Sequence, residues 1–343
     1  MIELESFKVS IPLKKKFTVA GGEATVKTNL LTVLNNRYHG EAAPSVKYGP
    51  TVEEIQTDVD KGLEYLRSLN RIDVHTLPRI DKLTIHPAAR AALMGMVLNY
   101  VSGETRRYPW EVLGLSTPIG INSSFTIAIS DTAEMIKDIT DSLFPIIKVK
   151  MGHEQDVMLL EALAEIKDKE IRVDANAGWS CAKAEEMIYY LAGNGVTVIE
   201  QPTSSEFVDE WRHLKGKNEQ VELIMDEGLN SLEDYQQHSE HIDGINIKME
   251  KCGGILPSMA LAARARRDGK KVMLGCMVES SVGIAQSVYM SSLADYFDLD
   301  GPLLLEDDIA RGISFDKESI RVDREIIGGP KLRRDVVQKY ISS

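Results

Sequence analysis

Short apolar runs alternate with helix-like segments over most of the chain, and this alternation predicts the fold. From about residue 125 onward, β-type runs are separated by stretches whose apolar residues recur at helical spacing. Strand, helix and strand at such short spacing indicate parallel neighbours. The predicted strands are 125–129, 146–150, 171–174, 197–200, 223–226, 244–248, 271–275 and 296–299.

Charged residues close five consecutive strands of this predicted sheet. Lysines end the second and sixth strands, and acids end the three strands between them: Lys148, Lys150, Asp174, Glu200, Asp226 and Lys248. A doubly wound open sheet uses the same alternation, but it has no place for inward-pointing polar residues at five successive strand ends. A closed (β/α) barrel gathers all those ends at one face, where barrel enzymes keep their active sites. The pattern therefore favours an α/β barrel.

The first third of the chain has a different pattern and predicts a separate α+β unit. Two apolar strands at 2–10 and 29–35 precede two helices, one of them marked by Val52, Ile55 and Val59. We expect three regions: an N-terminal α+β capping domain at 1–115, the barrel at 116–320, and a tail at 321–343 that returns to the capping domain. The segment 15–27, with its paired glycines, is expected to be a mobile loop that folds over a ligand.

Composition and charge exclude several classes of function. The net charge of −12 opposes attraction to nucleic acid and to anionic lipid surfaces. No window approaches the ~18 uninterrupted apolar residues of a membrane span, and a signal core is lacking at the start. Cys181, Cys252 and Cys276 are odd in number and far apart, which suits reduced thiols. The sequence therefore predicts a cytoplasmic protein with no nucleic-acid or membrane partner.

The three strand-end acids predict a metal site. Asp174, Glu200 and Asp226 are evenly spaced oxygen donors, one per strand. Such a set suits one Mg²⁺ ion per chain, whereas zinc would require His or Cys. The alternative is that each acid caps the helix after its strand. The equal spacing and the flanking lysines favour the metal.

The lysines predict proton transfer next to a carboxylate. Lys148, Lys150 and Lys248 would be buried inside a barrel unless the rim solvates them. Lysines near a metal and near one another lose protons more easily, so a neutral amine can act as a base. Strands two and six lie on opposite sides of an eight-strand ring, so Lys150 and Lys248 can approach one carbon from opposite faces. With a divalent cation stabilising the enediolate, one lysine would remove the proton and the other would return it, inverting the centre.

These residues together resemble the enolase superfamily, in its muconate-lactonizing subgroup. The matching motifs cover the whole barrel: Lys148-Val-Lys150, Asp174-Ala-Asn176, Glu200-Gln-Pro202, Asp226-Glu227 and Lys248-Met-Glu-Lys-Cys-Gly253-Gly254. The resemblance implies a modified TIM barrel, (β/α)7β, with an N-terminal α+β capping domain completed by the C-terminal tail. It also implies a homo-oligomer.

A further motif, Asp298-Leu-Asp300, resembles the carboxylate pair with which dipeptide epimerases hold a substrate's α-ammonium group. The alternative is a solvated turn before Gly301. The resemblance implies a Mg²⁺-dependent isomerase that inverts the C-terminal residue of Ala-Xaa dipeptides from cell-wall turnover. It also implies that Thr126 and Lys148 hold the substrate carboxylate, and that the backbone near Cys276 and Val278 contacts the peptide.

The capping loop bears on the identity of Xaa. Relatives that act on Ala-Glu carry an arginine there, whereas the sequence Ala20-Gly21-Gly22-Glu23 supplies none. A small or apolar second residue is therefore expected, with a polar or cationic one as the alternative that Glu23 leaves open.

Two other readings remain open. The same scaffold supports an o-succinylbenzoate synthase or an N-acylamino acid racemase, whose substrates have no free ammonium for Asp298 to bind. A barrel that binds a small ligand without catalysis is the third reading.

Overall fold

The computed structural model describes residues 2–19, 22–45, 49–152, 156–216, 218–317 and 319–341. The side chains of residues 17–23, 157, 161 and 162 lie outside this description.

An eight-stranded parallel sheet forms the centre of the molecule, and its strands follow one another around the ring in chain order. The first and last strands approach each other, because the Ser124 backbone N–H donates to the Phe297 carbonyl at 3.0 Å. Every predicted barrel strand is present, and the predicted modified TIM barrel is confirmed. The strands are β4 (Phe125–Ile127), β5 (Ile146–Lys150), β6 (Glu170–Asp174), β7 (Val198–Glu200), β8 (Glu222–Met225), β9 (Gly244–Ile247), β10 (Lys271–Gly275) and β11 (Tyr296–Asp298).

Helices lie between the barrel strands and cover the sheet. The helix after β6 buries Ala184, Met187, Ile188 and Leu191, which share one face because helical residues three and four apart are neighbours. These helices are α5 (Thr132–Asp141), α6 (Asp156–Glu165), α7 (Cys181–Gly193), α8 (Trp211–Lys215), α9 (Leu232–His238), α10 (Met249–Cys252), α11 (Ile255–Arg267) and α12 (Ser281–Tyr289). A short helix, α13 (Gly301–Leu304), follows the last barrel strand. Single 3₁₀ segments occur at Val74–Thr76, Ser205–Glu210 and Ser291–Leu293.

Over its described residues, the N-terminal unit is a three-stranded antiparallel sheet with four helices. The first helix begins at a capping box in which Thr51 and Glu54 each accept a backbone N–H of the other. The longest helix is apolar on nearly all sides because it packs against both the cap sheet and barrel helices. The elements are β1 (Leu4–Val19), β2 (Gly22–Leu34), β3 (Tyr38–Ala42), α1 (Val52–Arg67), α2 (Leu77–Asp81), α3 (Pro87–Thr105) and α4 (Pro109–Val112).

The first two strands are longer than predicted, and the expected loop at 15–27 is wrong over its described part. Instead, β1 and β2 form one long hairpin whose register is interrupted between Pro12 and Phe17. Thr25 and Val26 favour extended backbone. Pairing with β1 therefore extends β2 to residues before the apolar run at 29–35, from which this strand was predicted. Gly21 and the side chain of Glu23, which belong to the segment from which the preference for the second substrate residue was predicted, lie outside the described residues and side chains.

The C-terminal segment lies against the first hairpin. Val9 in β1 forms an antiparallel bridge with Ile341, and Val9 packs in one apolar cluster with Val336 and Val337. The domain boundaries at 115 and 320 stay predictions. The elements of this segment are β12 (Ala310–Arg311), β13 (Ile313–Asp316), β14 (Ser319–Val322), β15 (Lys331–Leu332) and α14 (Arg334–Tyr340). Among the helices of the described ranges, none combines the length and apolar character needed to cross a membrane.

Candidate active site

Three buried carboxylates meet at the carboxyl ends of neighbouring barrel strands. Asp174 ends β6, Glu200 ends β7, and Asp226 follows β8 directly. Asp174 and Glu200 are partners in the strand register, so both side chains lie at the same level of the ring. One oxygen from each of the three acids lies within 4.8 Å of the others. The structure therefore brings together the three acids that the sequence singled out.

The three lysines surround this acidic centre. Nζ of Lys150 lies 2.6 Å from Oδ2 of Asp174, and Nζ of Lys248 lies 2.6 Å from Oδ2 of Asp226. Their positions in the ring are opposite, because three strands separate β5 from β9 on either side. Nζ of Lys148 contacts several acids at once: Oδ2 of Asp298 at 2.7 Å, Oε2 of Glu200 at 2.8 Å and Oδ2 of Asp174 at 3.0 Å.

The second oxygen of each central carboxylate accepts a hydrogen bond from another group. The backbone N–H of Asn176 donates to Oδ1 of Asp174 at 2.9 Å. The amide of Asn246 donates to Oε1 of Glu200 at 2.9 Å, and the ammonium of Lys251 donates to Oδ1 of Asp226 at 2.6 Å. Each carboxylate thus has one oxygen that accepts from one of these groups and one that lies 2.6 to 2.8 Å from the ammonium of Lys148, Lys150 or Lys248.

The charges of the centre fit a divalent cation. Burial and repulsion from Asp174 raise the pKa of Glu200 to about 8. Burial opposes ionisation of Asp174, but Lys148 and Lys150 outweigh it and lower the pKa of that carboxyl. Oε2 of Glu200 is buried and lies 2.8 Å from the ammonium of Lys148. A buried set of three oxygen donors of this kind suits Mg²⁺.

Lys148 is a fixed positive charge in this arrangement. Burial alone would lower its pKa, but Asp174, Asp298 and Glu200 outweigh burial and raise the pKa well above the ordinary value. The sequence predicted easier proton loss, and hence a lowered pKa, for clustered lysines near a metal. The carboxylates around Lys148 instead raise its pKa. This direction agrees with the part assigned to Lys148, which is to add positive charge beside a substrate carboxylate.

The Asp298 and Asp300 carboxyls are both buried at the end of β11. Asp298 accepts from the ammonium of Lys148 at 2.7 Å and from the hydroxyl of Ser124 at 2.7 Å. Asp300 accepts from the backbone N–H of Thr126 at 2.6 Å. Burial and repulsion from Asp298 raise the pKa of Asp300 to about 7, whereas Lys148 outweighs burial and lowers the pKa of Asp298. The solvated-turn alternative therefore does not describe these residues.

The other expected binding residues lie beside this pair. Burial, then Asp300, raise the pKa of the Cys276 thiol well above its usual range, so it stays protonated at neutral pH. The carbonyl of Val278 already accepts from the Asn29 side chain at 3.1 Å. The contacts of Thr126, Cys276 and Val278 with a substrate stay predictions.

Several residues of this site carried a signal that the sequence reasoning did not use. Asn246 lies two residues before Lys248, which in a strand places both side chains on the same face. Lys251 lies three residues after Lys248, nearly one helical turn, which brings it back to the same side. Ser124 had no comparable signal, because its contact with Asp298 exists only once the first and last strands of the barrel meet.

Comparison with known proteins agrees with this geometry. Residues 131–323 match the family described as enolase C-terminal domain-like. The L-Ala-D/L-amino acid epimerase of Flavobacterium johnsoniae is 29% identical, covering 89% of this chain and 92% of that protein. The L-Ala-D/L-Glu epimerase of Bacteroides thetaiotaomicron is 30% identical (91% and 83%). A hydrophobic dipeptide epimerase of a Flavobacteria bacterium is also 30% identical (88% and 90%).

Solved structures share the fold over nearly the whole chain. A dipeptide epimerase from Cytophaga hutchinsonii, complexed with Mg and D-Ala-L-Val, superposes with a TM-score of 0.87 at 22% identity, covering 98% of this chain and 97% of that one. A dipeptide epimerase from Methylococcus capsulatus, complexed with Mg and L-Arg-D-Lys, gives 0.84 at 26% identity (96% and 99%). The chain belongs to the enolase superfamily and, within it, to the dipeptide epimerase family of isomerases.

Proposed function

We propose that this protein is a Mg²⁺-dependent epimerase that inverts the C-terminal residue of Ala-Xaa dipeptides by two-base 1,1-proton transfer. The observation that carries the proposal is the placement of Lys150 and Lys248. They come from opposite strands of the ring, and each contacts one member of the carboxylate set between them. A base on each face of one carbon is the arrangement that inversion requires.

Asp174, Glu200 and Asp226 would hold one Mg²⁺ per chain, as the donor set and the magnesium in related epimerases support. When bound, the ion supplies positive charge to the substrate carboxylate as it becomes an enediolate. Lys148 adds a second, permanent positive charge beside the same carboxylate. Lys150 removes the α-proton of one epimer and Lys248 delivers a proton to the opposite face; for the other epimer the roles reverse.

Asp298 and Asp300 would bind the α-ammonium of the first residue. Lys148 pairs with Asp298, but it also pairs with Asp174 and Glu200. Burial and then repulsion from Asp298 raise the pKa of Asp300, so a cation placed beside this carboxylate pair would be stabilised. Ser124 and the Thr126 backbone hold one oxygen of each carboxylate. We infer that Thr126 and the backbone near Cys276 also contact the substrate.

For the second residue we propose a small or apolar side chain. A cavity of about 260 Å³ opens between the cap and the barrel beside Glu227, which follows the proposed metal ligand Asp226. Much of its wall is apolar, with Pro44, Pro50 and Met277 among the lining residues. Glu250 also lines it, and burial raises the pKa of that carboxyl to about 8, so it is largely uncharged at neutral pH. The name of one relative, hydrophobic dipeptide epimerase, supports the same choice.

We also propose that the enzyme works on cell-wall dipeptides in the cytoplasm and as a homo-oligomer. The three free cysteines support a reducing compartment.

The proposal is tested by incubating a dipeptide library with the protein and Mg²⁺ in D₂O and scoring mass gain. Ala-Xaa dipeptides with small or apolar Xaa should gain one deuterium and appear as two epimers. Exchange confined to anionic Xaa would contradict the side-chain assignment alone. N-acylated amino acids are added to the library as a second substrate class, and exchange only with these would support the racemase reading. No exchange with either class would contradict both the epimerase and the racemase, and would leave the synthase or the non-catalytic barrel.

A further inference from the structure

The three central carboxylates share one pattern of hydrogen bonding, although the donors differ chemically. In each, one oxygen faces a lysine that the mechanism uses, and the other accepts from a group that it does not use. The latter donors are the Asn176 backbone, the Asn246 amide and the Lys251 ammonium. Because every member shows the pattern, it constrains how the carboxylates can bind an ion.

Two of these three donors, Asn246 and Lys251, come from one segment that comprises β9 and α10. Asn246 is fully buried and donates to Glu200, two strands away in the sheet. Lys251 is also buried, and it donates to the backbone carbonyl of Asp226 as well as to its side chain. This double contact fixes the rotation of the Asp226 carboxylate relative to its own backbone.

The neighbouring strand leaves space for Asn246. A Cβ atom on Gly275 in β10 would lie 2.4 Å from Oδ1 of Asn246, closer than real Cβ atoms come to other atoms. A glycine is therefore required there for Asn246 to keep its present position. The missing side chain of Gly275 thus leaves the space that the Asn246 amide occupies.

We propose that Asn246 and Lys251 are positioning residues that restrict Glu200 and Asp226 to one metal oxygen each, and thereby select Mg²⁺ over Ca²⁺. Ca²⁺ takes six to eight oxygens and often binds both oxygens of a carboxylate, whereas Mg²⁺ requires a compact octahedron. A carboxylate whose second oxygen is held by a fixed donor cannot turn to chelate the larger ion. The inference rests on the metal site of the proposed function, but it does not depend on which substrate is turned over.

The test is calorimetric titration of the substrate-free protein with Mg²⁺ and, separately, with Ca²⁺. Asn246→Ala removes a donor without changing charge, and it should weaken Mg²⁺ binding by about 10- to 100-fold, as loss of such partners does in other metal sites. Ca²⁺ binding should weaken less, because the released oxygen of Glu200 can chelate. The ratio of the Ca²⁺ to the Mg²⁺ dissociation constant should therefore fall by about tenfold.

Lys251→Met gives an independent second variant. Removing a positive charge raises the affinity for both cations, so the ratio is again the diagnostic quantity, and it should fall. Asn99→Ala and Lys215→Met are matched controls. Asn99 donates to the His39 carbonyl in the cap, and Lys215 pairs with Asp243 at 2.9 Å without contacting the central carboxylates. Both controls should keep the wild-type ratio even if they lower stability.

The outcomes separate the inference from the function on which it rests. An unchanged ratio in either folded variant would overturn the inference and leave the epimerase proposal standing. Wild-type protein that binds Ca²⁺ as tightly as Mg²⁺ would also overturn it. Wild-type protein that binds neither cation would overturn the metal site and the inference together.

Discussion

The assignment of Asp298 to the substrate ammonium can be tested by the variant Asp298→Asn. In the structure Asp298 is buried, and its two oxygens accept from Lys148 and Ser124, both at 2.7 Å. The substitution therefore disturbs Lys148 as well as any bound ammonium. A simple loss of activity would not distinguish these two effects.

A comparison of two substrates separates them. We compare kcat/KM for an Ala-Xaa dipeptide with that for its N-acetylated form, in wild type and in the variant. Effects that act through Lys148 are common to both substrates and cancel in the ratio. A charge-assisted hydrogen bond contributes about 1.5 to 3 kcal/mol, so the preference for the free ammonium should drop by about 10- to 150-fold.

Ser124→Ala is the matched control, because it removes the other partner of Asp298 and keeps the charge. This control should retain most of the preference. If Asp298→Asn keeps the wild-type preference, Asp298 does not bind the ammonium, and the readings as a racemase of N-acylated substrates or as a synthase regain support.

Three further predictions concern other parts of the site and the cap. The pKa of Asp300 is raised to about 7, and a bound ammonium favours its charged form. The kcat/KM of the wild type should therefore fall below pH 7 by up to about tenfold per pH unit, and that of Asp300→Asn should not. If the same fall persists in the variant, another group causes it. Glu41 accepts from the backbone N–H groups of Ser280 and Gly283 and so joins the cap to the start of α12. Glu41→Ala should lower the free energy of unfolding in chemical denaturation by about 2 to 4 kcal/mol, and Glu41→Gln should lower it less, because its amide oxygen can still accept a hydrogen bond. A loss for Glu41→Ala no larger than that for Glu41→Gln would refute the role of these acceptor contacts. Gly275→Ala should push Asn246 away from Glu200 and weaken Mg²⁺ binding in calorimetry by about 10- to 100-fold, whereas Gly193→Ala, whose Cβ would meet nothing within 4 Å, should bind as wild type does.

Much of the barrel and its centre could be predicted because the information is local. Each of the three central acids directly follows the apolar residues of its own strand, and parallel strands bring such ends to one face. Asp174, Glu200 and Asp226 are therefore brought together by topology alone.

The parts that sequence reasoning missed depend on contacts between distant segments. Glu41 meets Ser280 only because the cap packs on the barrel, and Ser124 meets Asp298 only because the barrel closes. The length of the first hairpin was missed for a related reason. Residues of β1 beyond Pro12 lack the apolar alternation of a half-buried strand, and pairing with β2 keeps them extended.

The central claim is that two opposed lysines exchange the α-hydrogen of one substrate, and single lysine variants test it most directly. Lys150→Met and Lys248→Met, each with saturating Mg²⁺, are incubated in D₂O with the pure L,L and L,D forms of one dipeptide, and deuterium at the α-carbon is followed by mass spectrometry. We predict that neither variant epimerises, that each still exchanges one form, and that the two variants exchange opposite forms. If both variants exchange the same form, or if either still interconverts the two, the two-base account is wrong.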